Sequence, residues 1–207
     1  MKFFSSKRRW YVSIIGLAIA LAVVVVTVLI ISVITALVQQ RKLNAIVTTD
    51  LTVPQLTSQA IQQQVNGDFS GAEQSLEEAL VKQQSPDLQS QLAVVQYRLK
   101  KYQDSITQYQ KLVSAKQDVA FAWNGIGNSY RDWAASTTTD RTNRENSAIS
   151  AYNQAITADP GYVAAYVNEA LLLVDMGKKS DAIALLQTGY SKTQVKQLQD
   201  LVSQLQL

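Results

Sequence analysis

The 207-residue sequence contains no cysteine and no histidine. A disulfide framework, a His/Cys zinc site, a thiol nucleophile and a histidine-based catalytic triad are therefore excluded. Charge is missing altogether from Trp10 to Gln40. All 16 acidic residues follow that stretch, whereas Lys2, Lys7, Arg8 and Arg9 precede it, so the remainder holds fifteen of the 19 basic residues and a net charge of −1. The overall charge of +3 thus belongs to the N-terminal tail and points to no nucleic-acid partner. Proline and glycine are also scarce, at three and eight residues, and no segment beyond Pro54 has the alternation of a strand.

What is present begins with Tyr11–Val38, YVSIIGLAIALAVVVVTVLIISVITALV. It exceeds the roughly 20 apolar residues that span a bilayer, and a lone segment satisfies its backbone in lipid only as a helix. We read residues 11–38 as a single transmembrane helix in the bilayer, 1–10 as a cytoplasmic basic tail and 39–52 as a juxtamembrane linker. The basic residues, Trp10 and Tyr11 before the span outweigh Arg41 and Lys42 after it, which orients the N-terminus to the cytoplasm and exports the rest. The competing reading is a cleaved signal peptide with Ile34-Thr35-Ala36 as cleavage site. A signal core is typically about 7 to 15 residues, and the greater length here favours an anchor. Gly16, Ala18, Ala20 and Ala22 offer a small-residue face on which a second copy could pack, giving a homo-oligomer.

From residue 53 onward, apolar residues recur three and four apart, the helical period. AFAWNGIGNSY places Trp123, Ile126, Gly127 and Tyr130 at offsets of three, one and three, and SAISAYNQAITADP places Ala148, Tyr152, Ala155 and Pro160 at offsets of four, three and five. These half-patterns resemble the two helices of a tetratricopeptide repeat. The same frame returns with Leu56, Ala60, Ala72 and Leu76, with Leu92, Ala93, Tyr109 and Leu112, and with Tyr166, Ala170, Ala182 and Leu186. Repeat starts near Val53, Pro86, Ala120 and Val163 are 33, 34 and 43 residues apart.

The resemblance covers about residues 53–207 and implies a tetratricopeptide α-solenoid of about four helix pairs; with the transmembrane helix, on which it does not bear, the chain is expected to be all-α. Repeats cover about 53–85, 86–119, 120–162 and 163–192. An insertion at about 131–147 is expected as a polar loop whose threonine and aspartate residues cap a lengthened second helix, a protruding feature on one edge of the solenoid. Val195, Leu198, Val202 and Leu205 share one face of a capping helix, 193–207, as the open end of a stack requires.

In the family, first helices line a concave groove for partner proteins or peptides, which nominates residues by frame. They are Ser90, Val94, Tyr97 and Arg98 in the second repeat; Phe121, Asn124, Asn128, Arg131 and Asp132 in the third; Val167, Asn168, Leu171 and Val174 in the fourth. The apolar residues of the fourth repeat form a stripe that either a partner or the capping helix would cover. One subgroup captures chaperone C-termini with a basic clamp; here Asn124 and Ala164 stand where its basic residues belong, so that function is not expected. Trp133 would anchor a partner or pack the base of the insertion. No carboxylate pair has the surroundings of acid/base chemistry, so no catalytic, metal or cofactor site is expected. The sequence thus describes a non-catalytic, membrane-anchored scaffold at the outer face of a bacterial membrane. Its architecture is also similar to the ancillary subunit of the bacterial Sec translocon, and a self-assembling envelope protein is a further alternative.

Overall fold

A computed structural model describes residues 23–41 and 51–207. The chain divides into two units, Met1–Leu51 and Thr52–Leu207, and each is taken by itself. In the first, α1 (Val23–Arg41) is long and apolar enough to cross a membrane, with a mean hydropathy of 2.4 over its most apolar window. A membrane anchor and a signal sequence both meet that description. The basic tail, the start of the expected span and its Gly16/Ala20 face lie outside the described residues.

The second unit is a succession of nine helices, and no strand occurs among the described residues. They are α2 (Val53–Val65), α3 (Phe69–Lys82), α4 (Pro86–Arg98), α5 (Tyr102–Ser114), α6 (Val119–Ser136), α7 (Arg141–Ala158), α8 (Val163–Asp175), α9 (Lys179–Thr193) and α10 (Lys196–Gln206). Each packs chiefly on its neighbours in sequence, so one apolar stripe per helix is shared between the helix before and the helix after. The helix starts follow local chemistry: the Gln55 side chain accepts from the Thr52 N–H at 2.8 Å, Asp68 accepts from the Gly71 N–H at 2.8 Å, and Pro54 and Pro86 sit in first turns, where a missing N–H costs nothing. Turns within the first and fourth pairs use the left-handed region at Gly67 and Gly177, whereas the second pair puts Lys100 there, at φ 60°.

Aromatic rings and small residues lock the pairs together. The Tyr152 ring lies directly on Gly127, and that of Tyr109 on Gly125, so closely that a Cβ at either glycine would collide with the ring. Tyr152, Leu76, Ile106, Ile126 and Leu186 are fully buried, and each apolar side chain of that size contributes about 1.5–3 kcal/mol on burial.

The expected protruding loop is corrected by the structure, which lengthens the first helix of the pair as well as the second. Only residues 137–140 form the connection, because the extra residues lengthen α6 and α7 to 18 residues each. The physical reason is a stack across the hairpin: Arg144 lies over the Trp133 ring at 4.1 Å, and Trp133 stacks on Tyr130 with ring centroids 6.4 Å apart. Beyond it, Ala134 is buried, and Arg141 donates to the buried Glu145 at 2.7 Å. Asp140 does not cap α7 by its side chain; it accepts from the Asn143 amide at 2.8 Å, while Arg144 closes the turn on the Thr139 carbonyl at 2.6 Å. Trp133 is thus engaged in holding this hairpin.

Helix α10 carries Leu198, Leu201, Val202 and Leu205 at offsets of three, one and three, the spacing of a first helix. It packs on α9 and buries Leu198 and Val202 in the cluster formed by Tyr166, Ala170, Leu173, Ala182 and Leu186.

Candidate partner-binding groove

Alternate helices identify the inner face. First helices approach one another, α4 touching α6 and α6 touching α8, while no contact of that extent joins second helices such as α5 and α7. The first helices therefore run on the inside of the curve and form its concave side.

Polar bonds join each repeat to the next. Between the first two repeats, the buried Glu73 of α3 accepts from Gln96 of α4 at 3.4 Å and from Lys101 at 2.6 Å. That bond holds the Lys101 ammonium above its usual pKa. Between α4 and α6, the half-buried Tyr97 hydroxyl donates to Asp132 in a short hydrogen bond, and Arg131 donates to the other oxygen of Asp132 at 2.9 Å. Burial and the neighbouring Asp132 push Tyr97 up to about 12. Between α6 and α8, the Asn168 amide donates to Asn124 at 2.9 Å. Asn128 accepts from the Tyr152 hydroxyl of α7 at 2.9 Å, which ties the groove surface to the ring packed beneath it.

The nominated residues therefore divide. Tyr97, Arg131 and Asp132 form one connected group, and Asn124 and Asn168 another. Arg98 turns away, its guanidinium 5.2 Å from the Phe69 ring of α3. Phe121 packs edge-on to Tyr109 of α5, centroids 5.7 Å apart, and joins the core of the second and third repeats. Val167 and Val174 are partly covered in the C-terminal cluster to which α10 contributes. Leu171, between them, remains 49 % exposed.

Two features were not nominated from the sequence. Ile61 and Val65 of α2 are 51 % and 75 % exposed; the signal was that Ile61 follows Ala60 as Leu171 follows Ala170, at the same place in the frame. The second is Glu169, which is 5 % exposed at the place where Leu92 and Ile126 stand in the preceding repeats. One of its oxygens accepts from Asn153 at 3.2 Å, and the other has no partner. Burial pushes its carboxyl up to about 7, against the Asn153 bond, which lowers it.

Comparison with known proteins agrees with this architecture. Models of the tetratricopeptide repeat match residues 58–120 and 143–205, leaving between them most of α6 and the lengthened turn. The chain belongs to the tetratricopeptide-repeat family, whose members are in general scaffolds for protein interaction. Among solved structures, a thermophilic repeat protein of Thermus thermophilus aligns at 16% identity and TM-score 0.60, over 74% of this chain and 81% of that one. MamA (41-end) from Desulfovibrio magneticus RS-1 aligns at 16% identity and 0.55, over 68% and 75%. A tetratricopeptide repeat protein from Parabacteroides merdae ATCC 43184 aligns at 18% and 0.54, over 67% and 52%. At these identities the likeness is one of fold. No curated protein gave a significant match.

Proposed function

We propose that the chain is a non-catalytic scaffold held in a bacterial cell membrane by residues 11–38. In this reading the N-terminus is cytoplasmic and the repeat domain, about 53–207, stands outside, where its concave groove takes a segment of a partner protein. The observation that carries the reading is the groove itself: its polar side chains bond one another across α4, α6 and α8, which presets its shape, while Ile61 and Leu171 stay open. A preformed surface binds without the ordering cost that a loose one incurs. The anchor adds to this by raising the effective concentration of a partner at the membrane. A distinct partner is favoured over a second copy, because Val167 and Val174 of the apolar stripe are already partly covered within the chain.

The test is protease added to intact cells, or to spheroplasts where an outer barrier exists, with the region beyond Arg41 followed by immunoblot. Digestion while the membrane stays sealed is the expected result. Protection until the membrane is opened would reverse the orientation and direct the search to cytosolic partners.

A further inference from the structure

Among the described residues outside α1, five large apolar side chains are conspicuously exposed: Ile61, Val65, Val81, Leu171 and Leu207. Three of them, Ile61, Val65 and Leu171, lie on first helices, at the two ends of the inner face. Between them the middle of the inner face is polar, and its charges are paired, buried, turned onto a ring or set at helix ends. Helix α2 contains no charged residue, and α4 has only Asp87, in its first turn, and Arg98, which covers Phe69. In α6 the charges are Arg131 and Asp132, bonded to each other at 2.9 Å; in α8 they are the buried Glu169 and Asp175, its last residue. A charged side chain entering the middle of this groove would shed its hydration and meet only the already paired Arg131 and Asp132.

The middle of the face is rich in amides. Each Asn side chain carries two donor hydrogens and an acceptor oxygen, so the single bond from the partly exposed Asn168 to the buried Asn124 leaves Asn168 a donor hydrogen and its acceptor oxygen. An extended backbone needs such partners, whereas a helix has already satisfied its own groups. Neighbouring helix axes lie about 8–10 Å apart, so the three steps from α2 to α8 span roughly 27 Å, or about eight residues at ~3.3 Å each.

Resting on the groove reading above, we propose that the occupant is an extended, uncharged segment with a large apolar side chain near each end. One end seats on Ile61 and Val65, the other on Leu171, and the uncharged middle crosses Tyr97, Asn128 and Asn168. Panning a random 12-residue phage library on the full chain in lipid nanodiscs, with counter-selection on empty nanodiscs, tests this directly. The expected peptides are nearly free of Asp, Glu, Lys and Arg and carry apolar residues about seven to nine positions apart, the separation set by the span and the rise per residue. Their affinity should fall at least tenfold in Ile61→Asp and in Leu171→Asp and stay unchanged in Val81→Asp, a still more exposed site on a second helix; circular dichroism checks that all three fold. Charged peptides that still lose binding in Leu171→Asp would overturn the proposed chemistry and leave the groove standing. Peptides indifferent to both groove substitutions, or no selected peptide at all, would overturn the groove together with its occupant.

Discussion

Replacing Glu169 by leucine, the residue type at the same place in the second repeat, is expected to remove a pH-dependent weakness from the C-terminal end of the solenoid. The carboxyl is 5 % exposed, bonded only to Asn153, and titrates near 7 where an ordinary glutamate titrates at 4.5. Because the folded value is raised, the folded state holds this proton more tightly than the unfolded chain does. Its stability is complete below pH 4.5 and declines as the pH rises through 7. At about 1.4 kcal/mol for each unit between those two values, the decline is about 3 kcal/mol. The assay is urea unfolding of the full chain at about pH 4.5, 6 and 8, chosen to bracket that titration, followed by the fluorescence of Trp123 and Trp133. The baseline gain from the new leucine is common to every pH, so the quantity to read is the advantage of Glu169→Leu at the highest pH minus that at the lowest. We expect about 3 kcal/mol; loss of the Asn153 partner matters little, since that amide also reaches the Ile149 carbonyl at 3.0 Å. Parallel stability curves for the two proteins across this range would refute the reasoning.

Two further substitutions probe the repeat itself. Gly127→Ala drives a methyl group into the Tyr152 ring and should cost about 1–3 kcal/mol, the range for overpacking, seen as a lower thermal midpoint; an unchanged midpoint would mean the ring can move aside. Lys100→Gly relieves a left-handed backbone at φ 60° without touching the core, and should raise the midpoint by the equivalent of about 1 kcal/mol.

The repeat was legible because its signature is structural. Trp123, Ile126, Gly127 and Tyr130 have those identities so that one helix can receive the ring of the next, and steric fit leaves little choice at such positions. Less was legible where direction depends on a neighbour in space. Spacing puts Arg98 and Phe121 on first helices, yet the Phe69 and Tyr109 rings draw them toward the preceding repeat. The extension of α6 reads as polar loop because its stabilising stack joins Trp133 to Arg144, residues that composition gives no reason to pair. Glu169 escapes pattern reading for the opposite reason: the helix tolerates it, and only its burial with one oxygen unpartnered makes it unusual.

The long pair α6 and α7 has a consequence for how the array comes apart. In a linear stack each unit is held by its two neighbours and the end units by one, so fraying starts at the ends and moves inward. Here the central pair is also the longest, with the cross-hairpin stack and the buried Tyr152 adding to its cohesion. The array is fastened in the middle. Ile61 and Leu171 ride on repeats nearer the ends, while Asn124, Asn128 and Arg131 ride on the fastened one. A segment spanning the groove would therefore meet a fixed polar centre first and bind the looser apolar ends afterwards, and by bridging them it would brace the whole array against unravelling.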